Sequence, residues 1–383
     1  MTAAPPVTAE VMSEPGPHVV VRGRPIPVVL PKLSDPRLKL SATIITLTIL
    51  GLTVLNFQVS IPQILVCILL SAVVEIVVTY RREHVLVWPA SAIQTGVSVA
   101  FIFRVGGTQH ADYWSLRGLH LFVFVTLLSL LPKYLIRRNG RHIFNPSNIG
   151  LAWGLLLIGP HYVFSEHLWW APLGAPVLIS MAVIFGGAFW ILRQVRMIPM
   201  AVTFLATFLT LIAFFALAGR SYYATWHNGP VGGSFYWLTI ALSPELLIFV
   251  FFMITDPQTA PKSPLGRKIY AVATAFVAAG LILIQPTEFG IKVAILSSLL
   301  LTCALVPAIE QLATRIEERR SGAGSLPRPA PEPVARRLAA AVRSPVLVAA
   351  TIIAVGGVID TALLARDDNI TYIEREMTPR AVQ

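Results

Sequence analysis

The sequence is poor in charged residues and in cysteine. Charged side chains make up 13% of the 383 residues and hydrophobic ones 55%, whereas soluble proteins carry about 25% charged residues. An ordinary soluble domain is therefore excluded, and the composition is typical of an integral membrane protein. The two cysteines, Cys67 and Cys303, each lie within an apolar run and have no spaced Cys or His partners. We interpret them as buried packing residues and expect neither a disulfide nor an iron-sulfur centre.

The formal net charge is +11, but the cations lie in short clusters between apolar runs and not on one basic face. No nucleic acid partner is therefore expected. The clusters occupy alternate connections, namely Arg37 and Lys39, Arg81 and Arg82, 133–141, Arg193 and Arg196, 262–268, and 315–343. Because cationic connections stay on the cytoplasmic side, the pattern predicts a multi-pass protein of the inner (cytoplasmic) membrane. Its N-terminus would lie in the cytoplasm and its C-terminus outside.

Hydrophobic runs long enough to cross a bilayer recur along the chain. A spanning helix needs roughly 20 mostly apolar residues, and this criterion predicts about eleven spans. They lie near 40–58, 61–80, 85–103, 118–136, 147–164, 173–192, 198–218, 237–255, 269–285, 290–311 and 346–365. The first ten form a body, and the last stands apart behind a charged linker.

The predicted organisation has five parts. In order they are a Pro-rich cytoplasmic tail (1–38), a ten-helix membrane domain (39–312), a charged Pro/Gly-rich linker (313–345), an additional transmembrane helix (346–366) and an acidic outer tail (367–383). Ten spans divide into two sets of five, and a unit with an odd number of spans is inverted when it is repeated. The predicted fold is an all-α integral membrane protein with a ten-helix body of two inverted five-helix repeats plus one extra C-terminal transmembrane helix.

One hydrophobic span opens with polar and helix-breaking residues, in RHIFNPSNIG (141–150). Asn145 is a good N-cap, and Pro146 is tolerated at the first helical position, so a capped helix start explains the motif by itself. The free N–H groups of a helix start beside a cluster of cations also make an anion site. Both interpretations stay open.

A second polar stretch, FFMITDPQTAPKSPLGRKIY (251–270), follows the eighth span. Asp256 precedes Pro257, and a residue before proline is pushed out of the helical region, so the span is predicted to end there. Both polar stretches fall on the same membrane face, and convergent polar loops are what a pocket needs. The predicted cofactor-binding residues are Arg141, His142, Asn145, Pro146, Ser147, Asn148, Thr255, Asp256, Thr259, Lys262 and Arg267.

Two acids lie within spans. Glu245 follows Pro244 at depth, which indicates a break in the helix and a possible intramembrane polar site. A buried hydrogen bond to a neighbouring helix explains it equally well. Glu75 lies near the cationic edge and is expected to reach Arg81 or Arg82. The acids and histidines show no spacing suited to metal ligands, and no metal site is expected.

The two polar stretches together resemble a known family. Residues 141–150 are similar to the FNPA motif of the RnfD and NqrB subunits of ion-pumping electron-transfer complexes. FFMITDPQTA (251–260) is similar to the FF-x-x-TDP-x-T-A segment of that family, and GRKIYA (266–271) resembles the step that follows it. The resemblance covers Lys39 to Gln311 and implies a ten-helix fold of two inverted five-helix repeats.

The resemblance also implies a flavin. Family members typically attach FMN covalently to a threonine in an S-G-A-T-like run between the fifth and sixth spans, but Gly159–Pro172 contains no Thr. Covalent FMN is therefore not expected, and the alternatives left open are a flavin, a quinone or another anionic ligand held without a covalent bond, and no cofactor. The RnfD-like body with an extra span most resembles the UnbU-type membrane proteins of enediyne biosynthesis.

These observations favour a component of a membrane electron-transport or redox system, tied to enediyne-type natural product biosynthesis. The chain would be an electron-transferring or non-catalytic subunit, and its expected partners are the lipid bilayer and other membrane or redox subunits. Two alternatives remain: a transporter or export component that has lost its cofactor, and a non-catalytic membrane anchor.

Overall fold

The computed structural model describes residues 17–21, 24–138, 140–320 and 353–360. Its dominant elements are helices. In chain order they are α1 (Pro36–Thr53), α2 (Ile61–Glu83), α3 (Ala90–Ile102), α4 (Leu119–Leu135), α5 (Pro146–Ile158), α6 (Ala175–Val195), α7 (Ile198–Leu217), α8 (Gly233–Ala241), α9 (Pro244–Ile248), a π-helix (Phe249–Met253), α10 (Pro264–Ile282) and α11 (Glu288–Arg320).

Short strands join the helices. They are β1 (His18–Val21), β2 (Arg24–Val29), β3 (Leu86–Val87), β4 (Phe103–Val105), β5 (Arg137–Arg138), β6 (Arg141–His142), β7 (Val163–Ser165), β8 (Ser221–Tyr223) and β9 (Pro230–Gly232). They form the sheet β1-β2-β3 and the pairs β4-β7, β5-β6 and β8-β9. The β1 and β2 strands lie in the tail that the sequence predicts to be irregular. They are rich in valine, which favours strands.

Within the residues that the structure describes, six helical segments are long and apolar enough to cross a membrane. They are α2, α6, α7, the α8 to π-helix segment (Gly233–Met253), α10 and α11. The apolar helices α3, α4 and α5 are shorter. The predicted spans 85–103 and 147–164 are helical over only 13 residues each. Since 13 residues of helix rise about 20 Å and the bilayer core is about 30 Å thick, α3 and α5 end before they cross it.

Five helices begin with the same two devices, a polar N-cap and a proline in the first turn. The caps are Asp35, Ser60, Asn145, Ser243 and Ser263, and each side chain accepts a backbone N–H of its own helix. The cap satisfies a backbone donor that has no partner within the helix, and the proline lacks a donor that would need one. Much of the proline in this apolar chain therefore marks where helices start.

The helices run up and down between two faces. At the end where α1 begins and α6 ends, Lys39 Nζ donates to Gln194 Oε1 at 2.6 Å. This end, which carries the predicted cation clusters at Arg37 and Lys39 and at Arg193 and Arg196, is called the cationic face. At the end where α1 stops and α6 begins, Asn56 N–H donates to the Ala171 carbonyl at 2.7 Å; this end is called the aromatic face.

Small residues let neighbouring helices approach closely. A side chain at Gly96 of α3 would collide with the Cys67 carbonyl of α2, and one at Gly150 of α5 would collide with Ser129 of α4. Close backbone approach at glycine is a common basis of helix packing in membranes. These contacts fix α3 and α5, the two short helices, against full-length neighbours.

The last helices differ in part from the predicted domain boundaries. Helix α11 runs to Arg320, beyond residue 312, where the sequence indicates the start of a linker. Residues 353–360 of the predicted extra span (346–366) are helical, and the Val358 carbonyl accepts a hydrogen bond from Gln285 Nε2 at 3.0 Å. The rest of that span, the linker after residue 320, the acidic tail (367–383) and residues 1–16 lie outside the described residues.

Candidate functional site

The FNPS motif is the start of α5, as predicted. Asn145 is the N-cap, and its Oδ1 accepts the Asn148 N–H at 3.2 Å and the Ser147 hydroxyl at 3.0 Å. Pro146 occupies the first turn. All four side chains are buried, and among their polar atoms Asn148 Oδ1 has no hydrogen-bond partner in the described part of the chain. Asn148 Nδ2 donates to the Leu296 carbonyl of α11 at 2.9 Å.

The TDP motif ends the eighth span, also as predicted. The helix first widens into the π-helix, and the Thr255 hydroxyl donates back to the Phe251 carbonyl at 2.5 Å. The Asp256 carboxylate then accepts the Gln258 N–H at 2.9 Å and the Thr259 hydroxyl at 3.3 Å. A carboxylate that binds the backbone two residues later stabilises a turn. Asp256 therefore shapes the loop that leaves the membrane helix.

The two motifs meet at the cationic face. Asn145 Nδ2 lies 3.4 Å from the Met253 carbonyl, to which it donates. His142 Nε2 lies 3.8 Å from Asp256 Oδ2. Residues more than a hundred positions apart are thus brought together, as the sequence predicts from their shared face.

A cavity of about 330 Å³ opens where these motifs meet, and we call it the cationic-face cavity. It is lined by Arg138, Arg141, His142, Ile143, Gln258, Thr259, Ala260, Lys262, Cys303, Val306, Pro307, Glu310, Gln311 and Thr314. Its volume falls in the range of small-molecule sites. Three permanent cations and one histidine face a single carboxylate among the described lining residues, so the cavity favours an anion.

The predicted binding residues divide into two groups around this cavity. Arg141, His142, Thr259 and Lys262 line it. The others, Asn145, Pro146, Ser147, Asn148, Thr255 and Asp256, are not among its lining residues and hold the two motifs in place. Arg267 is also outside the lining. Its guanidinium donates to the carbonyls of Pro261, at 3.1 Å, and Arg196, at 3.2 Å.

Glu245 lies at a break in the eighth span, as predicted. Helix α8 ends at Ala241 and α9 restarts after the Ser243 cap. The Glu245 carboxylate is buried, lies 3.3 Å from Lys292 Nζ of α11 and accepts the Trp170 indole N–H at 3.0 Å. Glu245 therefore binds neighbouring elements and also faces a second charge inside the protein, while its role as an intramembrane polar site stays a prediction.

Sequence reasoning missed Arg104, which lies in β4 just after α3 ends. Its side chain is fully buried and donates to the carbonyls of Ala100, at 2.9 Å, and Phe101, at 2.8 Å. The guanidinium also lies 2.6 Å from Glu166. These contacts satisfy carbonyls that the end of α3 leaves free. The signal in the sequence was an arginine directly after the apolar run 85–103.

Glu288 was also missed, at the start of α11 near the aromatic face. Its carboxylate accepts the Leu168 N–H and, at 3.0 Å, the Trp226 indole N–H, and it lies 3.4 Å from His167 Nδ1. Burial has the largest single influence on the pKa of His167 and would lower it, but the hydrogen bond to Glu288 and the attraction of the Glu288 and Glu166 carboxylates together raise the pKa above the usual value. The TEFGIK stretch (287–292) contained this acid and Lys292, both within a predicted span or at its edge.

Glu75 does not pair with Arg81 or Arg82, contrary to the expectation. Its carboxylate lies 2.6 Å from Lys133 Nζ of α4 and accepts the Ala92 N–H of α3 at 2.8 Å. The Glu75 carboxylate therefore links α2 to two neighbouring helices. It binds a cation on α4 and a free backbone N–H at the start of α3. Proximity in sequence to the two arginines was a poor guide because they lie at the exposed end of α2.

The Gly159–Pro172 connection contains no threonine. Two of its charged or titratable side chains bind elsewhere in the fold: Glu166 binds Arg104, and His167 contacts Glu288. Among the described residues, no group of three or more His, Cys, Asp or Glu is placed to hold a metal ion.

The fold and the two polar motifs define a multi-pass, predominantly helical membrane protein. Residues 166–317 match the NQR2, RnfD, RnfE family. The matched region is less than half of the chain; it includes the TDP motif, Glu245 and Lys292, but not the FNPS motif. No curated protein matches the chain. The family match supports the RnfD/NqrB resemblance through the second half of the helical body.

Proposed function

We propose that this chain is a membrane subunit of an electron-transport or ion-translocating complex, and that its cationic-face cavity binds an anionic cofactor without a covalent bond. The observation that carries the proposal is the meeting of the two motifs at a cavity lined by Arg138, Arg141, His142 and Lys262. The family match at 166–317 supports the subunit role.

The lining favours the phosphate end of a flavin nucleotide. Arginine binds phosphate oxygens through paired N–H groups, and lysine adds a point charge. No Phe, Tyr or Trp is among the described lining residues, so the cavity offers no aromatic face on which a flavin ring would stack. The phosphate would therefore be held inside, with the ring toward the cavity mouth. A bound flavin would supply electron transfer, while the residues of this chain hold and orient it.

The helix contacts support two five-helix units. In the first set α2 packs against α3 and α4, and α4 packs against α5. In the second, α7 packs against α8 and α10, and α10 packs against α11. Between the sets, α1 contacts α6 and α5 contacts α11. When the α8 to π-helix segment counts as one, the three contacts named for the first set each have a counterpart five helices later in the second. We propose that the sets are inverted repeats related by a pseudo-twofold axis.

The cation clusters support a cytoplasmic position for the cationic face, and with it a cytoplasmic N-terminus. The cofactor would then bind on the cytoplasmic side. The proposed setting, a membrane system of enediyne-type natural product biosynthesis, rests on the resemblance to UnbU-type proteins. A flavin or quinone recovered from the native complex would agree with the electron-transport role.

Ligand binding to the purified full chain tests the proposal. We expect FMN to bind at least tenfold more tightly than riboflavin, which lacks the phosphate, because a charge-assisted hydrogen bond contributes about 1.5–3 kcal/mol. The double variant Arg141→Ala/Lys262→Ala should lose this preference. Arg193→Ala, an exposed cation on the same face outside the cavity, is the matched control.

Fluorescence titration of both flavins against the three proteins measures these affinities. Equal affinity for FMN and riboflavin, or an unchanged preference in the double variant, would contradict a phosphate site in this cavity. Mass analysis of small molecules released from gently purified protein identifies the native occupant, and a quinone would replace the flavin in the proposal.

A further inference from the structure

A second cavity, which shares no lining residue with the cationic-face cavity, lies inside the helical body. It has a volume of about 30 Å³ and is bounded by β7, α9, the π-helix and α11; we call it the central cavity. Its lining is apolar except for Ser165, Glu245 and Lys292. A cavity of about 10–15 Å³ holds one water molecule when polar partners are present. The central cavity is therefore large enough for about two.

Two of these three polar groups have unused hydrogen-bonding capacity. Ser165 Oγ and Lys292 Nζ are buried and make no hydrogen bond to the described part of the chain. Lys292 Nζ lies 3.3 Å from Glu245 Oε2, but this contact lacks hydrogen-bond geometry. An ammonium group has three donors, and a buried donor without a partner is costly. Both groups line the cavity, so a small polar ligand there would satisfy them.

The charges around the cavity select the class of ligand. Lys292 repels a cation and Glu245 repels an anion, while the pair together is neutral. A neutral molecule with both donors and acceptors fits, and water is the one of the right size. Water between an ammonium and a carboxylate also provides a path for a proton.

We propose that the central cavity is a hydrated proton-exchange site in which Glu245 and Lys292 pass one proton between them through bound water. In the transfer, an N–H bond of the Lys292 ammonium breaks as that proton moves to water, and water gives a proton to Glu245, where an O–H bond forms. The ion pair becomes a neutral amine and a neutral acid, and no oxidant or reductant is needed. Because burial disfavours charged groups, it raises the free energy of the ion pair and brings it closer to that of the neutral amine and acid.

The site is linked to the aromatic face by titratable groups. Glu288 precedes Lys292 by one turn of α11 and lies 3.4 Å from His167 Nδ1. The His167 side chain is 35% exposed and is the outer end of this series. The other charged groups nearby, Arg104 and Glu166, are bound to each other at 2.6 Å. The proton route to the aromatic face therefore runs through Glu288 and His167.

The side toward the cationic face is closed by apolar groups. A further cavity of about 20 Å³, lined in part by Asn145 and Ser147, shares Ile102, Ile248 and Met253 with the central cavity. These three side chains separate the two cavities. Protons of the central cavity should therefore exchange with solvent from the aromatic face. This exchange does not depend on the cofactor proposed for the cationic face.

Infrared spectroscopy of the full chain in lipid vesicles tests the inference. We expect a carboxylic C=O band from the neutral form of the pair that is present at neutral pH, shifts in D₂O and is absent from Glu245→Gln. Replacing the outer histidine, in His167→Gln, should slow the D₂O shift at least tenfold without removing the band. Glu75→Gln, a carboxylate paired with Lys133 near the cationic face, is the matched control and should leave the band unchanged.

Two further variants keep the test decisive if Glu245→Gln does not fold. Glu245→Asp should move the band without removing it, and the neutral double variant Glu245→Gln/Lys292→Met should fold and lack it. A wild-type spectrum without an exchangeable carboxylic band, or a band that survives the double variant, would overturn the proposal. An exchange rate unchanged in His167→Gln would overturn the route through the aromatic face.

Discussion

The cationic-face cavity and the buried charges near the aromatic face are built in opposite ways. The cavity is framed by two short motifs whose side chains mostly bind within their own turns, as Asn145 and Asp256 do. The buried charges are single residues from distant segments that bind each other, such as Arg104 with Glu166 and Lys292 with Glu245. The first region depends on local geometry, and the second depends on the assembled fold.

The largest expected effect comes from removing Arg104. Arg104→Met leaves Glu166 without its cation and the end of α3 without its donors, and breaking a buried pair costs about 3–5 kcal/mol. We expect a loss of stability of this size, or failure to fold, in thermal unfolding of the purified protein. Arg117→Met, an exposed cation in the connection that follows, should change stability by less than about 0.5 kcal/mol. If Arg104→Met and Arg117→Met had similar stability, the buried charges would not depend on the assembled fold as proposed for this region.

An intermediate effect is expected from the cap of α5. Asn145→Ala removes an N-cap and the donor to the Met253 carbonyl, and loss of a cap costs about 1–2 kcal/mol. Asn145→Asp keeps the cap acceptor and should lose less. Unfolding and FMN affinity should be measured together, because the cap orients one wall of the cavity. A cavity that binds normally in Asn145→Ala would show that the motif does not shape it.

The smallest effect concerns pH. The hydrogen bond to Glu288 raises the pKa of His167 in the folded protein, so protonated His167 stabilises the fold. This contribution is complete below the unfolded value of about 6.5 and is lost as the pH rises through the raised folded pKa. His167→Gln should therefore lower the unfolding temperature at low pH and match wild type at high pH. His161→Gln, an exposed histidine, serves as the control, and a pH-independent difference would contradict the pairing.

The sequence predicted the cationic-face region well because its signals are local. Caps, prolines and the residue before Pro257 act on their own turns, so the helix start at Asn145 and the helix end at Asp256 are both confirmed. The contact between these two motifs was expected because both were predicted on the same membrane face. The family match supports the RnfD/NqrB assignment over 166–317, while the cofactor and the inverted repeat stay predictions.

The buried charges were largely beyond sequence reasoning because their partners lie far apart in the chain. Glu245 was recognised as unusual, but nothing local indicated that Lys292 would face it. Glu75 was assigned to the nearest arginines, and its true partner is Lys133 on another helix. The short lengths of α3 and α5 were missed because strand β3 before α3 and strand β7 after α5 extend their apolar runs.

The pairing of β4 with β7 has a consequence for how the chain enters the membrane. Arg104 is buried at the end of a helix too short to cross, and its partner Glu166 lies 62 residues later in the chain. Until Glu166 has been synthesised and brought to β4, the arginine has no counter-ion within the bilayer, where an unpaired charge is costly. Stable insertion of α3 must therefore follow that of α5, so the third span is completed out of its order in the sequence.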